Sequence, residues 1–233
     1  MPILPITANR VAHYLYGHGI TSASDLVSRW DDASGSGNPL LQATGTNQPL
    51  RMPDNSILFD GVDNFLKTAA FTLNQPVTIY ILFRQVTWTS TDTVFDGDAS
   101  NTGVLYQTGV TPNLEIFAGA SPSPITDLAL NTYGIVVSVF NGVSSVVQLN
   151  QNTPITGNVG ASNMGGFTLG VRGDTTTGPS NIQVKEVILY SAAHDAPTRR
   201  QIVNYLLEVN KTPYTDWYVA NGSGVNAGRF RRR

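Results

Sequence analysis

Ser28-Arg29-Trp30-Asp31-Asp32, then Ser34-Gly35-Ser36-Gly37-Asn38, then Phe59-Asp60-Gly61-Val62-Asp63-Asn64-Phe65-Leu66 read in order as a strand, a glycine-broken loop and a hairpin. Asp25 to Trp30 is a short strand, and Trp30 is expected in the core, since a large aromatic in a β-rich stretch is packed by default. Gly35 and Gly37 let the backbone adopt positive φ, so Asp31 to Pro39 is a loop. Structured chain resumes near Ile57, with Asp60-Gly61 as its turn.

The same pattern extends outward. Val77-Thr78-Ile79-Tyr80-Ile81-Leu82-Phe83 is β-branched and aromatic and apolar on both alternating faces, as a central strand covered on both sides requires. Further strands are expected at Thr93 to Phe95, Val104 to Gln107, Leu114 to Ala118, Gly134 to Phe140, Ser145 to Leu149, Phe167 to Val171 and Ile182 to Tyr190. The mixed stretch from Val11 to Gly19 also reads as a strand. Turn signals stand between them at Asp96-Gly97, Thr111-Pro112-Asn113, Asn141-Gly142, Gly165-Gly166 and Gly178-Pro179. Asn141-Gly142 suits a type I′ turn, which predicts a hairpin over Gly134 to Leu149. One helix is expected, capped by Asp195, with Pro197 in its first turn and Ile202, Tyr205, Leu206 and Val209 on one face, ending before Pro213.

Composition agrees. A chain of 233 residues that folds compactly buries roughly 70% of its extended surface, so core size is not limiting. Charged residues are 13% of the chain and hydrophobic ones 41%, against about 25% charged in ordinary globular domains. Ser, Thr and Asn take up the difference and, with 22 Gly and 13 Pro, favour strands and turns. The absence of cysteine excludes disulfides and thiolate metal sites. Met1-Pro2-Ile3-Leu4-Pro5-Ile6 lacks a basic leader, and no run of about 18 apolar residues occurs, so a soluble protein without export signal or membrane contact is expected. Arg229, Arg231, Arg232 and Arg233 supply four of the 14 basic residues, leaving 10 against 16 acidic ones in the body.

The opening strand, glycine loop and Phe59 to Leu66 segment, followed by many strands, Lys185-Glu186-Val187-Ile188-Leu189-Tyr190 and a short closing helix, resemble laminin-G-like domains of the concanavalin A lectin/glucanase superfamily, of the kind found in bacteriophage structural proteins. The resemblance spans about Ala12 to Asn210. It implies an all-β fold, a concanavalin A-like jelly-roll β-sandwich with one short C-terminal helix and an extended C-terminal tail. The expected layout is an N-terminal arm at 1–10, a jelly-roll domain at 11–211 and a C-terminal extension at 212–233. Such jelly rolls serve lectins, lyases, glucanases and passive structural proteins alike, so the chemistry must be sought in particular residues.

Retaining glycosidases need two carboxylates about 5 Å apart, and the glucanases of this superfamily carry them as Glu-x-Asp-x-x-Glu. Glu115, Glu186 and Glu208 are the only glutamates, and none has a second acid at that spacing. His13, His18 and His194 sit outside any nucleophile motif, and His13, in an apolar stretch, reads as a satisfied structural histidine. No phosphate-cradling or dinucleotide loop is present. Asp96, Asp98 and Asn101 alternate oxygen donors around Gly97 as calcium loops do, and the same residues fit a polar hairpin tip. Asp60 and Asp63 invite the same comparison. A glycan platform would use an exposed aromatic such as Trp88, Tyr106, Tyr133 or Trp217, with Trp88 taken first.

In the extension, Tyr214, Trp217 and Tyr218 precede Asn221-Gly222-Ser223-Gly224, and the chain ends Arg229-Phe230-Arg231-Arg232-Arg233. Aromatics beside arginines on an acidic body suit a protein partner. Four arginines without a basic surface suit nucleic acid poorly. The expectation is a non-catalytic virion protein on the particle surface, assembled in the host cytoplasm and decorating or cementing a capsid through its terminal segments as a homo-oligomer. The alternative is a lectin-like module of a tail fibre, and after it a polysaccharide hydrolase or lyase. No cofactor is expected beyond calcium.

Overall fold

The computed structural model describes residues 2–120 and 124–211. The expected anchor residues Tyr214, Trp217, Tyr218, Arg229, Phe230, Arg231, Arg232 and Arg233 lie outside the described residues, as does Trp217 in its role as a glycan candidate.

The first strands are β1 (Arg10–Tyr14), β2 (Ile20–Ala23), β3 (Leu26–Trp30), β4 (Leu40–Leu41), β5 (Leu50–Arg51), β6 (Ile57–Asp60) and β7 (Leu66–Lys67). The middle of the chain supplies β8 (Val77–Gln85), β9 (Thr93–Asp96), β10 (Val104–Gln107), β11 (Asn113–Phe117) and β12 (Ile125–Asp127). Then follow β13 (Gly134–Phe140), β14 (Ser145–Leu149), β15 (Ile155–Gly157), β16 (Thr168–Leu169), β17 (Asn181–Tyr190) and the helix α1 (Ala196–Lys211). All strand pairs are antiparallel, apart from an isolated parallel bridge between Thr93 and Pro179.

Two sheets face each other. The front runs β15-β14-β13-β8-β17, with β1 and β6 sharing the outer edge of β17. The back runs β12-β11-β10-β9-β16-β7-β4-β3-β2. The short β5 pairs with both β3 and β6 and so joins the two. This is the all-β jelly-roll sandwich with one closing helix.

Alternation explains the layers. From β8, Ile79, Ile81 and Phe83 enter the core between the sheets, against Trp30, Phe95, Leu105, Leu114 and Ile116. Tyr80 and Leu82 point the other way, into a second apolar cluster covered by Ile202, Val203, Tyr205, Leu206 and Val209 of α1. Each such fully buried side chain contributes about 1.5–3 kcal/mol, which is why a strand apolar on both faces needs the helix. The helix begins as expected, Asp195 Oδ1 accepting the Thr198 amide at 2.9 Å.

One bulge adapts β17 to that helix. The register on β8 shifts between Val184 and Glu186, so Lys185 is an extra residue. Val184 and Val187 both reach the inner core, while Lys185 and Glu186 both lie on the helix side, as a bulge permits. There Arg10 donates to His13 Nδ1 at 3.1 Å, which leaves Nε2 as the N–H that donates to Glu186 Oε1 at 2.7 Å. Tyr205 also donates to Glu186 Oε1, at 2.7 Å. Burial, then the Glu186 charge, pushes the Tyr205 hydroxyl far above its usual pKa and keeps it a donor. His13 is thus a satisfied structural residue that ties β1 to β17 and, through Glu186, to the helix.

At the end of the sandwich, Gln107 Nε2 donates to Gln85 Oε1 at 2.7 Å and to the Thr87 carbonyl at 2.9 Å, and its Oε1 accepts the Thr89 amide at 2.8 Å. Gln85 passes its own amide protons to Leu128 and Pro112 carbonyls.

Several local expectations are corrected. Phe59 to Leu66 is not a hairpin: β6 already has β17 and β5 on its two edges, so the chain turns through Asp60, whose Oδ1 accepts the Val62 amide at 2.9 Å, and crosses to the back sheet as β7. Gly134 to Leu149 is a hairpin, but not through a type I′ turn. Ser145 Oγ and Gln75 Oε1 each accept an amide of the connection at 2.8 Å, from Asn141 and Gly142, and hold Gly142–Ser144 as a 3-10 turn. The Val11 to Gly19 strand stops at Tyr14, and Phe167 to Val171 shortens to Thr168–Leu169.

Candidate functional site

The site is built on the outer face of the back sheet. In β10 and β11, Leu105, Leu114 and Ile116 turn into the core, which leaves Val104, Tyr106, Glu115 and Phe117 outward. The register sets Val104 opposite Phe117 and Tyr106 opposite Glu115. Val104, Tyr106 and Phe117, with Asn101 and Arg172 from neighbouring loops, line a concavity of about 220 Å³.

The polar groups in it and beside it fall into two kinds. Glu115 is only 8% exposed and accepts the Thr108 hydroxyl at 3.0 Å. Burial, reinforced by Glu115, pushes the Tyr106 hydroxyl up to about 12, so it is a neutral O–H with an apolar ring face. Arg172 differs. Its Nε is out of contact with solvent and has no hydrogen-bond acceptor among the described residues, and none of their ion pairs includes it.

The rim is fixed by the residues considered as calcium ligands. Asp96 is fully buried. Its Oδ1 accepts the amides of Gly97 (2.8 Å), Thr102 (3.1 Å) and Gly103 (3.3 Å), and its Oδ2 those of Asn101 (2.7 Å) and Gly173 (3.2 Å). Burial raises its pKa while those amides pull the other way. Asp98 Oδ1 lies 3.1 Å from Lys67 Nζ, which also donates to the carbonyls of Asp98 (2.8 Å) and Gly173 (2.9 Å). An ammonium therefore sits among these oxygens. Asn101 offers its backbone amide to Asp96 and its residue to the concavity. Among the described residues, no group of three His, Cys, Asp or Glu is placed to hold a metal ion. Ser100 donates to Asp174 Oδ2 at 2.5 Å, so the loops at 97–103 and 172–177 form one rim.

The aromatic candidates separate. Tyr106 lies in the concavity. Trp88, half-buried in the β8–β9 loop, donates its indole N–H to the Asn113 carbonyl at 3.2 Å and is not among the lining residues. Tyr133 is on the front sheet, with Lys185 Nζ 4.1 Å and the Arg84 guanidinium carbon 5.5 Å from its ring centre. Asp60 Oδ1 accepts the Val62 amide and, at 3.4 Å, that of Asp63, as a turn requires. Phe117 and Arg172 were missed by sequence reasoning. The odd-even pattern of Leu114 to Phe117 marks Phe117 as outward, whereas nothing near Arg172 in sequence connects it to β10.

A larger groove of about 580 Å³ lies between the β14–β15 connection and the first turns of α1. Some of its polar groups serve each other: Arg199 Nε donates to Gln148 Oε1 at 3.0 Å, and Gln151 Nε2 to the Arg200 carbonyl at 3.1 Å. It reads as a packing seam. No helix among the described residues is long and apolar enough to cross a membrane.

No family model matches the chain, and no curated protein matches its sequence. Solved structures match by shape. Trypanosoma rangeli sialidase superposes with a TM-score of 0.63 at 16% identity, covering 86% of this chain and 33% of that one, so the chain spans about a third of the sialidase's length. Domain 4 of AbnA, a GH43 extracellular arabinanase from Geobacillus stearothermophilus solved in complex with arabinotriose, gives 0.61 at 14% identity and covers 84% and 98%. The binding domain of botulinum neurotoxin serotype D/C gives 0.58 at 12%, covering 86% and 53%. At these identities the likeness is one of fold: the chain shares its all-β sandwich with domains of two glycosidases and a toxin binding domain.

Proposed function

We propose that this chain is a carbohydrate-binding jelly-roll module without catalytic activity of its own. The observation that carries the reading is the outward pair Tyr106 and Phe117 in a small concavity with Asn101 and Arg172. Aromatic faces take the apolar side of a sugar ring while a few convergent polar groups fix its orientation. The arabinanase domain, matched over nearly its whole length and solved with arabinotriose, supports the ligand class. The described lining holds no pair of carboxylates, which favours binding over hydrolysis. Glycan-array and calorimetric titration of the full chain tests it: binding is expected, with Tyr106→Ala and Phe117→Ala each weakening it about tenfold or more and no new reducing ends released. Binding unchanged in both variants refutes this site.

A second reading, assembly into a phage particle with capsid or other virion proteins, draws on the aromatics and arginines of 212–233. Deleting residues 216–233 is expected to leave folding intact and abolish incorporation into particles. Normal incorporation refutes that role.

A further inference from the structure

The geometry points to an acidic saccharide, one bearing a carboxylate, as the ligand of the Tyr106 concavity, with Arg172 as the residue that selects it. This inference rests on the carbohydrate-binding reading above and specifies its substrate class.

The argument is one of uncompensated charge. Among the described residues, each charged group around the concavity is engaged except one. Glu115 accepts Thr108, Asp96 is surrounded by five amides, and Asp174 is held by Ser100, Thr176 and Thr177. Asp98 and Lys67 neutralise each other. Among the described residues, Arg172 alone brings a full charge to the lining, takes part in none of their ion pairs, and has an Nε–H without an acceptor. Because the Nε–H is closed to solvent, the terminal nitrogens of the guanidinium are the donors a ligand in the concavity can meet. The planar guanidinium fork matches a carboxylate in two parallel hydrogen bonds, a match that a neutral hydroxyl cannot reproduce. Tyr106 and Phe117 would hold the sugar ring while Arg172 grips its acid group. The concavity has room for about one ring, so selection falls on a single acidic residue of a longer chain.

Calorimetric titration of the full chain with oligomers of a hexuronic acid and with uncharged oligomers of the same length and linkage tests this. The expected result is roughly 10- to 100-fold tighter binding of the acidic series, a preference that shrinks as salt is added. Arg172→Gln is expected to bring the acidic series down to the neutral one, and Arg172→Lys to restore part of the gap. Thermal melts check that both variants are folded. Equal affinity for the two series, or a preference unchanged in Arg172→Gln, overturns the acidic selectivity while the carbohydrate reading stands. Binding to neither series overturns both. Acidic preference that survives Tyr106→Ala and Phe117→Ala would locate the selectivity elsewhere and overturn the role of Arg172.

Discussion

Replacing Asp96 should cost more stability than any other single change at the rim, and the amount follows from its hydrogen bonds. Asp96→Ala strands five amides, of which those of Gly97, Gly103 and Gly173 meet the carboxylate in buried surroundings. An unsatisfied buried donor costs about 1–3 kcal/mol. Three of them, less what entering water and loop relaxation recover, come to about 4 kcal/mol. Asp96→Asn keeps one acceptor oxygen, best placed on the three amides that use Oδ1, and sets an NH2 against the amides of Asn101 and Gly173. It also removes a charge that burial disfavours, so its net cost is about 2 kcal/mol. For a chain of this size each kcal/mol moves Tm by about 2–4 °C: a fall of about 8–16 °C for alanine and 4–8 °C for asparagine. Thermal and urea unfolding followed by tryptophan fluorescence measures this. Hydrogen exchange should show faster exchange at Gly97, Thr102 and Gly103. Because amides and the Lys67 ammonium occupy the loop's electrostatic positions, excess chelator should leave the wild-type Tm unchanged. A wild-type Tm that drops on chelation and recovers with calcium, or an Asp96→Ala protein as stable as the wild type, would refute the reasoning.

Other expected outcomes concern the body of the sandwich. His194 Nδ1 and the Tyr80 hydroxyl share a hydrogen bond of 2.8 Å, and burial lowers the His194 pKa from 6.5 to about 4. The folded state thus holds it neutral where the unfolded chain protonates, so its contribution is whole above about pH 6.5 and declines as pH falls toward 4, by up to about 3 kcal/mol. Urea midpoints at neutral and acidic pH should show the decline, smaller in His194→Gln; equal declines in the two proteins contradict it. Tyr205→Phe should cost about 1–2 kcal/mol by removing a donor from Glu186, and Glu186→Ala about 3–5 kcal/mol by leaving the Arg10 and His13 tie without its acceptor; denaturant unfolding separates the two. Gln107→Leu should cost about 2–3 kcal/mol, since the Thr89 amide and Gln85 carbonyl lose their partners, and identical midpoints for variant and wild type would count against that network.

The fold was legible wherever burial dictates alternation. Val77 to Phe83, Gly134 to Leu149 and Ile182 to Tyr190 announced the four middle strands of the front sheet because each is covered on both faces, and Asp195 with Ile202, Tyr205, Leu206 and Val209 announced the helix by cap and period. The turns were less legible, since their form depends on distant side chains: Gln75 and Ser145 decide the Asn141-Gly142 connection, and occupied strand edges decide where Asp60-Gly61 sends the chain. The site was legible in fragments. Tyr106 and Asn101 were picked out for different reasons, one as an aromatic platform and one as an oxygen ligand, and the register of β10 on β11 with the Asp96 loop brings them together. Arg172 stands 66 positions beyond Tyr106 by numbering, and only the pairing of β9 with β16 carries it near.

The extra residue in β17 sets a phase. On its N-terminal side even-numbered positions, Ile182 and Val184, are inside; on its C-terminal side odd-numbered ones, Val187 and Leu189, are inside. Excising Lys185 would therefore do more than remove an ammonium group. It would set Glu186 directly after Val184 and pair the strand residue for residue with β8, Ile182, Val184, Val187 and Leu189 all staying inside, so the bulge is the place in β17 where a deletion keeps every side chain on its own face.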